Sequence, residues 1–443
     1  MTSVLVRAAT IVTLDSQDRI LAPGYMVLDD ERIAEMGQGH GTSTSAYDDV
    51  IELGDRLLMP GLVNAHTHTP MVLFRGLAEG VSLFSMEGFL EVLRVLEAAA
   101  DASMVPAAVE VSCAEIIRTG TTCFADQYFY MDGILPVVQK SGLRAALAYG
   151  IVELGDEASR TREIAAATRL LDNTQEDPLI TGWVGPHAFF VDNSLEAIQL
   201  ELDLAARYST GFHIHLATNW EEETYCQENF GRSAVEQMKK LGILDHPVLA
   251  AHCITIPEED FPSLAAAPFT AVICPSAAMR SATGSAAVKA LRAAEVNTAL
   301  GTDNVANANS YDMFNEMQLA AKLMSYREQQ PAALPARQVV EMATLGGARA
   351  LGLEDEIGSL EIGKQADWIA LDQTAIGWGP RGAQDLFTAL VYSISGMHVT
   401  DVMVAGNWLL RERRWMTVDY HKARQALDQD YVELRRRLDA QNP

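Results

Sequence analysis

The stretch Pro60-Gly61-Leu62-Val63-Asn64-Ala65-His66-Thr67-His68 decides the fold, because an apolar run leads into two histidines one residue apart. Leu57-Leu58-Met59 extends the apolar run on its amino-terminal side. In an extended chain, the side chains at positions i and i+2 lie on the same face. His66 and His68 can therefore direct two imidazoles at one point, an arrangement that suits a divalent metal ion with nitrogen ligands.

The same pattern, an apolar run that ends in a ligand-type residue, recurs further along the chain. The recurring segments are Gly185-Pro186-His187, Phe212-His213-Ile214-His215, Leu249-Ala250-Ala251-His252 and Leu300-Gly301-Thr302-Asp303. Histidines buried in a core for packing alone do not explain five separate segments of this kind. The histidines and the carboxylate therefore predict a metal centre.

The order of these motifs resembles the amidohydrolase superfamily, in its branch of adenosine and S-adenosylhomocysteine deaminases and triazine hydrolases. The resemblance covers nearly the whole chain. Further motifs that carry it are His68-Thr69-Pro70-Met71, Leu73 to Glu79, Gly120-Thr121-Thr122, Ala250 to Cys253, Gly301 to Asn304 and Gly358 to Asp367.

The predicted fold is a (β/α)8 barrel with a small, discontinuous β-sandwich. Strand-like and helix-like patterns alternate over about 300 residues, which favours a closed parallel barrel at 58–355. Short strand patterns with tight turns occur near both chain ends, and we expect 1–57 and 356–418 to form one sandwich, as the resemblance also implies. Apolar residues at helical spacing predict a helix within 419–443.

The resemblance also implies roles for the site residues. His66, His68, His215 and Asp303 would hold one divalent metal ion, with zinc the first expectation and iron, manganese or nickel the alternatives. No lysine occurs in 181–187, so the carbamylated-lysine bridge of binuclear relatives has no candidate there. His252 and Asp303 are the expected catalytic residues. Asp303 would also take a proton from the attacking water, and His252 would hydrogen-bond the metal-bound water or the substrate. His213 is expected behind the ligands or in the core.

We expect four residues to contact a small-molecule substrate: His187, Glu97, Thr218 and Tyr149. Two of them depart from the family pattern. Thr218 stands where deaminases of this branch have the glutamate of a His-x-x-Glu motif, and Tyr149 stands where several nucleoside deaminases have an arginine. A third departure is Ala278, in place of an asparagine that touches substrate. For Glu97, a match to a ribose-binding glutamate competes with a role as a solvated helix residue.

Three hypotheses for function follow from the loss of a carboxylate at position 218. The first is hydrolytic deamination of a purine, nucleoside or triazine-like ring, with the proton relay rebuilt from other residues such as Glu221 or Glu222. The second keeps the metal but cleaves a cyclic amide or imide, or a ring with a leaving group such as chloride, with Asp303 as the only base. The third is a non-catalytic binding barrel.

The composition limits the classes of binding partner and the cellular compartment that we expect for this protein. The chain has 443 residues and a formal net charge of -26, from 33 basic and 59 acidic residues, which disfavours binding to nucleic acids and anionic membranes. Five cysteines without CxxC pairing argue against a disulfide framework. No apolar run reaches the ~18 residues needed to cross a bilayer, and no signal sequence begins the chain. We therefore expect a cytoplasmic enzyme, and a homo-oligomer by resemblance.

Overall fold

Strands from both chain ends flank a central barrel in the computed structural model, which describes residues 2–41, 43–380 and 385–441. Seven strands precede the barrel: β1 (Ser3–Ala8), β2 (Thr10–Val12), β3 (Ile20–Leu21), β4 (Gly24–Asp29), β5 (Arg32–Gln38), β6 (Asp49–Glu52) and β7 (Arg56–Pro60). Eight strands form the barrel: β8 (Leu62–Thr67), β9 (Thr121–Tyr128), β10 (Arg144–Ile151), β11 (Ile180–Pro186), β12 (Phe212–Leu216), β13 (Val248–His252), β14 (Phe269–Ile273) and β15 (Asn297–Leu300). Four strands follow it: β16 (Trp368–Asp372), β17 (Val399–Val404), β18 (Asn407–Arg411) and β19 (Arg414–Trp415).

The barrel strands pair in chain order, each parallel to the next. All eight residues of β9 are buried, as expected for a parallel sheet that is covered on both faces. The ring closes between its last and first strands, where the backbone N–H of Asp303 donates to the carbonyl of His66 at 2.9 Å. The predicted (β/α)8 architecture is thereby confirmed.

Helices follow most of the barrel strands and cover the outside of the barrel. They are α1 (Met86–Gly88), α2 (Arg94–Ala99), α3 (Val105–Arg118), α4 (Met131–Ser141), α5 (Glu157–Thr174), α6 (Leu195–Tyr208), α7 (Trp220–Phe230), α8 (Ala234–Leu241), α9 (Phe261–Ala265), α10 (Pro275–Ser281), α11 (Val288–Ala293), α12 (Met313–Arg327), α13 (Ala336–Met342), α14 (Leu345–Ala350), α15 (Leu386–Tyr392) and α16 (Tyr420–Gln441). A π-helical turn, Phe89–Leu93, joins α1 to α2. Helix α7 matters most for the site, and its start is fixed by Asn219, whose side chain accepts from the N–H of Glu221 at 2.7 Å.

Two sheets form the region built from both chain ends. One has the order β5-β4-β1-β6, and the other has the order β19-β18-β17-β16-β7-β2-β3. Strand β7 pairs with β16 in antiparallel register, from Pro60 opposite Trp368 to Arg56 opposite Asp372, so that the two chain ends share one sheet. Leu58 and Trp368 are fully buried in the core between the sheets. Residues 381–384 of the expected second sandwich segment lie outside the described residues.

A buried ion pair ties the barrel to the sandwich region. Arg144 at the start of β10 donates from Nε and Nη2 to the two carboxylate oxygens of Asp367, at 3.0 and 3.2 Å. The Arg144 and Asp367 side chains are 7% and 1% exposed. Asp367 also accepts from the backbone N–H of Ala405 at 2.8 Å. Two-pronged geometry in a buried setting makes this contact a rigid junction.

The last helix, α16, packs on α3, where Leu427, Leu434 and Leu438 are buried as the helical spacing predicts, whereas Tyr431 of the same apolar pattern is exposed. Within the described residues, no helix is both long and apolar enough to cross a membrane.

Candidate metal centre and active site

Four imidazoles and one carboxylate meet at the carboxyl ends of the barrel strands. Nε2 of His68 lies 3.3 Å from Oδ1 of Asp303 and 3.3 Å from Nε2 of His215, and Nε2 of His66 lies 3.5 Å from the same Oδ1. Ligand atoms about 2.0–2.1 Å from a tetrahedral zinc ion are about 3.3–3.4 Å apart. These three separations are therefore close to those between ligands of one tetrahedral metal ion.

The protonation states at this cluster also suit a cation. Burial lowers the pKa of His66 to about 4, so that its ring is neutral at pH 7. Burial would raise the pKa of Asp303, but the nearby imidazoles of His66 and His68 lower it well below its usual value. Nε2 of His66 and Oδ2 of Asp303 are buried without a hydrogen-bond partner in the described part of the chain. Burial lowers the pKa of His68, but Asp303 outweighs burial and raises that pKa above its usual value. The neutral ring of His66, an ionised carboxylate and unpaired buried atoms suit a divalent metal ion.

His252 extends this cluster. One ring nitrogen of His252 lies within 4.8 Å of donor atoms of His66, His215 and Asp303. Its ring packs on Phe84, with ring centroids 4.3 Å apart, and burial lowers its pKa to about 3. The four predicted ligands and His252 thus lie together, and His252 is close enough to bind either the metal or a group attached to it.

The far side of each ligand ring is held by a second hydrogen bond. Nδ1 of His66 lies 2.7 Å from Nε2 of His213, and Nδ1 of His68 lies 2.6 Å from the carbonyl of Gln127. Nδ1 of His215 lies 2.8 Å from the carbonyl of His187. These contacts fix the rings and direct each Nε2 towards the metal position. His213 therefore lies behind the ligands, one of the two positions that the sequence predicts.

Asp126 is a supporting residue that the sequence reasoning missed. Its buried carboxylate accepts from the hydroxyls of Thr67 and Thr69 and from the backbone N–H of Thr69, at 2.7–2.8 Å. These bonds hold the chain on both sides of His68. A signal was available, because Asp126 ends an apolar run, Cys123-Phe124-Ala125, as the metal ligands do.

Ala217, His252 and Asp303 are among the non-glycine residues near the strand ends that adopt left-handed backbone conformations. The φ values are +51° at Ala217, +78° at His252 and +61° at Asp303. Such strain costs of order 1–3 kcal/mol per residue and persists where the surrounding structure holds it. Of these residues, His252 and Asp303 line the pocket at the barrel mouth.

The metal cluster opens into a pocket of about 1000 Å³, part of which is open to solvent. The aromatic rings of Phe84, Phe89, Tyr128 and Phe129 form much of its wall. Among the four residues expected to contact substrate, His187, Glu97 and Thr218 line this pocket.

The other two positions singled out by the sequence lie elsewhere. Tyr149 lines the neighbouring cavity, and its hydroxyl donates to Glu163 at 2.7 Å. Glu97, Tyr128 and Phe129 border both cavities. Ala278 is buried in α10 and is not part of the pocket lining.

His187 is oriented by a carboxylate. Its Nδ1 lies 2.5 Å from Oδ2 of Asp192, and its ring stacks on Phe89 with centroids 5.1 Å apart. With Nδ1 engaged, Nε2 is the nitrogen left for the pocket. Asp192 follows His187 by five residues, and the sequence alone gave no reason to pair them.

Glu97 is held within the pocket wall and is not a solvated helix residue. Its side chain is 12% exposed, and it accepts from Nη1 of Arg94 at 2.9 Å. Burial raises its pKa, although Arg94 acts in the opposite direction. The hydroxyl of Tyr128 also bonds to it.

Two glutamates from the first turn of α7 line the pocket beside Thr218. Glu221 is exposed, whereas Glu222 is 5% exposed. Oε2 of Glu222 accepts from the backbone N–H of Ala217 at 2.5 Å, and Oε1 has no hydrogen-bond partner among the described residues. Burial raises the pKa of Glu222 to about 7.

Strand-end histidines and a carboxylate that converge on one pocket define a metal-dependent hydrolase of barrel fold. Residues 57–409 match the model of the amidohydrolase family, and the chain belongs to that family, as the motifs predict.

Its relatives are similar over nearly their whole length. The chain is 36% identical to a 5-methylthioadenosine/S-adenosylhomocysteine deaminase of Moorella thermoacetica, over 95% of this chain and 96% of that protein. It is 35% identical to a 5'-deoxyadenosine deaminase of Methanosarcina barkeri, over 99% and 100%. The crystal structure of an adenosine deaminase from Xanthomonas campestris with bound zinc matches with a TM-score of 0.91 and 29% identity, over 98% of this chain and 99% of that one.

Proposed function

We propose that this protein hydrolyses the exocyclic amino group of an adenosine-type nucleoside and releases ammonia. The observation that carries the proposal is the similarity, at 36% and 35% identity over at least 95% of the chain, to deaminases of 5'-modified adenosines. The complete set of strand-end donors supports it, because hydrolytic deamination needs an activated water next to the ring.

The metal ion, for which zinc is our choice since the Xanthomonas campestris enzyme holds it, would lower the pKa of a bound water from ~15.7 towards ~7. His66, His68, His215 and Asp303 would hold it. Asp303 keeps Oδ2 without a partner and can accept a proton from the water there. His252, neutral at pH 7, would polarise the reacting group.

The remaining pocket residues fit the substrate. Phe84 and Phe89 offer faces on which a purine can pack. Nε2 of His187, aligned by Asp192, would meet a ring nitrogen. The buried carboxyl of Glu97, at the far wall, would accept from sugar hydroxyls. Phe129 and Tyr128 beside it border the second cavity, which leaves room for a substituent on the sugar.

An ammonia-release assay with zinc-loaded protein tests the proposal. We expect turnover of adenosine, 5'-deoxyadenosine, 5'-methylthioadenosine or S-adenosylhomocysteine, and loss of turnover in Asp303→Ala. Absence of ammonia from all four substrates, with one zinc ion bound per chain, would refute the proposal.

Thr218 supports a second candidate. With no carboxylate at this position, a ring whose leaving group departs without protonation is an easier substrate. A 6-chloropurine riboside would then release chloride faster than adenosine releases ammonia, and measuring both products with the same preparation separates the two functions.

A further inference from the structure

Hydrolytic deamination requires a group that takes a proton from water and delivers it to the ring nitrogen. The hydroxyl of Thr218 cannot serve as this base near pH 7. Among the described residues, four carboxylates line the pocket and are candidates for the proton carrier: Glu97, Glu221, Glu222 and Asp303.

Three of these carboxylates already bind other groups. Asp303 is a metal donor. Glu97 accepts from Arg94 and from Tyr128. Glu221 is exposed, and its Oε2 lies 3.2 Å from Nδ2 of Asn219.

Glu222 lines the pocket and has one carboxylate oxygen without a hydrogen-bond partner among the described residues. It lies four residues after Thr218, in the first turn of α7, which follows the strand that carries His215. The backbone N–H of Ala217 holds one carboxylate oxygen, and the other is buried in the described structure without a partner. The side chain is thus fixed at one oxygen and available at the other.

We infer that Glu222 is the proton carrier of this enzyme, an inference that rests on the deamination proposed above. As the water oxygen bonds to the ring carbon, the carboxylate of Glu222 accepts one water proton. The electron pair of the ring C=N bond moves onto nitrogen, and the carboxylic acid returns the proton there. The second water proton passes through Oδ2 of Asp303 to the amino group, the C–N bond breaks with its electron pair on nitrogen, and ammonia leaves.

The surroundings of Glu222 make it responsive to pH in the working range. Burial is the largest influence on its pKa, and the N–H of Ala217 opposes it. The titratable groups that face it come from its own helix, from the loop after β11 and from the end of β13: Glu223, Cys226, Asp192, His187 and Cys253. Below pH 7 the carboxyl is increasingly protonated and cannot accept the water proton.

The test compares Glu222→Gln with Glu223→Gln in zinc-loaded protein, by ammonia release from the best nucleoside substrate. The glutamine keeps an acceptor for the N–H of Ala217, so the fold is expected to remain. Glu223 is a matched control: it is buried in the same turn, both its oxygens accept hydrogen bonds, from Gln227 and from the N–H of Ala234, and it does not line the pocket.

We expect kcat of Glu222→Gln to fall by about 10² to 10⁴, with little change in KM, and Glu223→Gln to match the unmodified enzyme. The decline of kcat/KM below pH 7 should be shallower in Glu222→Gln than in the unmodified enzyme or in Glu222→Asp, because only the ionisation of the water remains. Full activity of Glu222→Gln, or a comparable loss in Glu221→Gln alone, overturns the assignment while deamination stands. Unmodified enzyme that releases no ammonia overturns both.

Discussion

Replacing Glu222 by glutamine should change how the stability of the protein depends on pH. The pKa of this carboxyl is raised from 4.5 to about 7, chiefly by burial. Between these values the folded chain keeps a proton that the unfolded chain releases, so the free energy of unfolding falls as pH rises and levels off above pH 7. The whole effect amounts to about 3 kcal/mol, of which about 2.5 kcal/mol falls between pH 5 and pH 8.

Chemical denaturation of the unmodified protein and of Glu222→Gln at pH 5, 6, 7 and 8 measures this contribution. Other buried acids, such as Glu316, whose pKa burial raises to about 7, are common to both proteins and cancel in the difference. We expect the variant to gain about 2.5 kcal/mol relative to the unmodified protein between pH 5 and pH 8. A difference that stays constant within about 0.5 kcal/mol over this range would show that the carboxyl titrates as a solvated group, and the reasoning from burial would be wrong.

Three further predictions concern the metal centre and the domain junction. His66→Ala and Asp303→Ala should reduce bound zinc from one ion per chain to nearly none, with circular dichroism unchanged; two ions per chain in active protein would contradict a single site. His252→Ala should retain most of the zinc while activity falls by about 10² or more, and loss of zinc would identify His252 as a ligand instead. Arg144→Met should destabilise the protein by about 3–5 kcal/mol in denaturation experiments, because it leaves the buried carboxylate of Asp367 without its cation; a change below about 1 kcal/mol would refute that role.

The barrel and the donor set were predictable from the sequence because each depends on a local rule. An apolar run that ends in a ligand-type residue marks the carboxyl end of a buried strand, and a parallel barrel brings such ends together. The pattern therefore places the strand-end histidines and Asp303 at one end of the barrel, whereas the choice of His66, His68, His215 and Asp303 as the ligands came from the family resemblance. The place of His252 beside them likewise followed from the resemblance.

The rest of the site depends on tertiary packing, which one-dimensional patterns do not record. Glu221 and Glu222 are equivalent in sequence, and only the direction in which α7 leaves the barrel makes one exposed and the other buried. Tyr149 lies on a strand that enters the pocket region, yet its hydroxyl meets Glu163 of α5. Asp192 orients His187 through a 2.5 Å contact, and this contact depends on the path of the loop between the two residues.

Because β7 pairs with β16, this part of the sheet cannot form until β16 has been synthesised. Pro60 and Trp368 lie opposite each other in the sheet, yet more than 300 residues separate them along the chain. At about 5–20 residues per second, the ribosome needs about 15–60 s to supply the missing strand. Throughout that interval β7 has an open edge, although it leads directly into β8 and its two histidines. The nascent protein must therefore protect an apolar strand next to its future metal centre until about five-sixths of the chain has been synthesised.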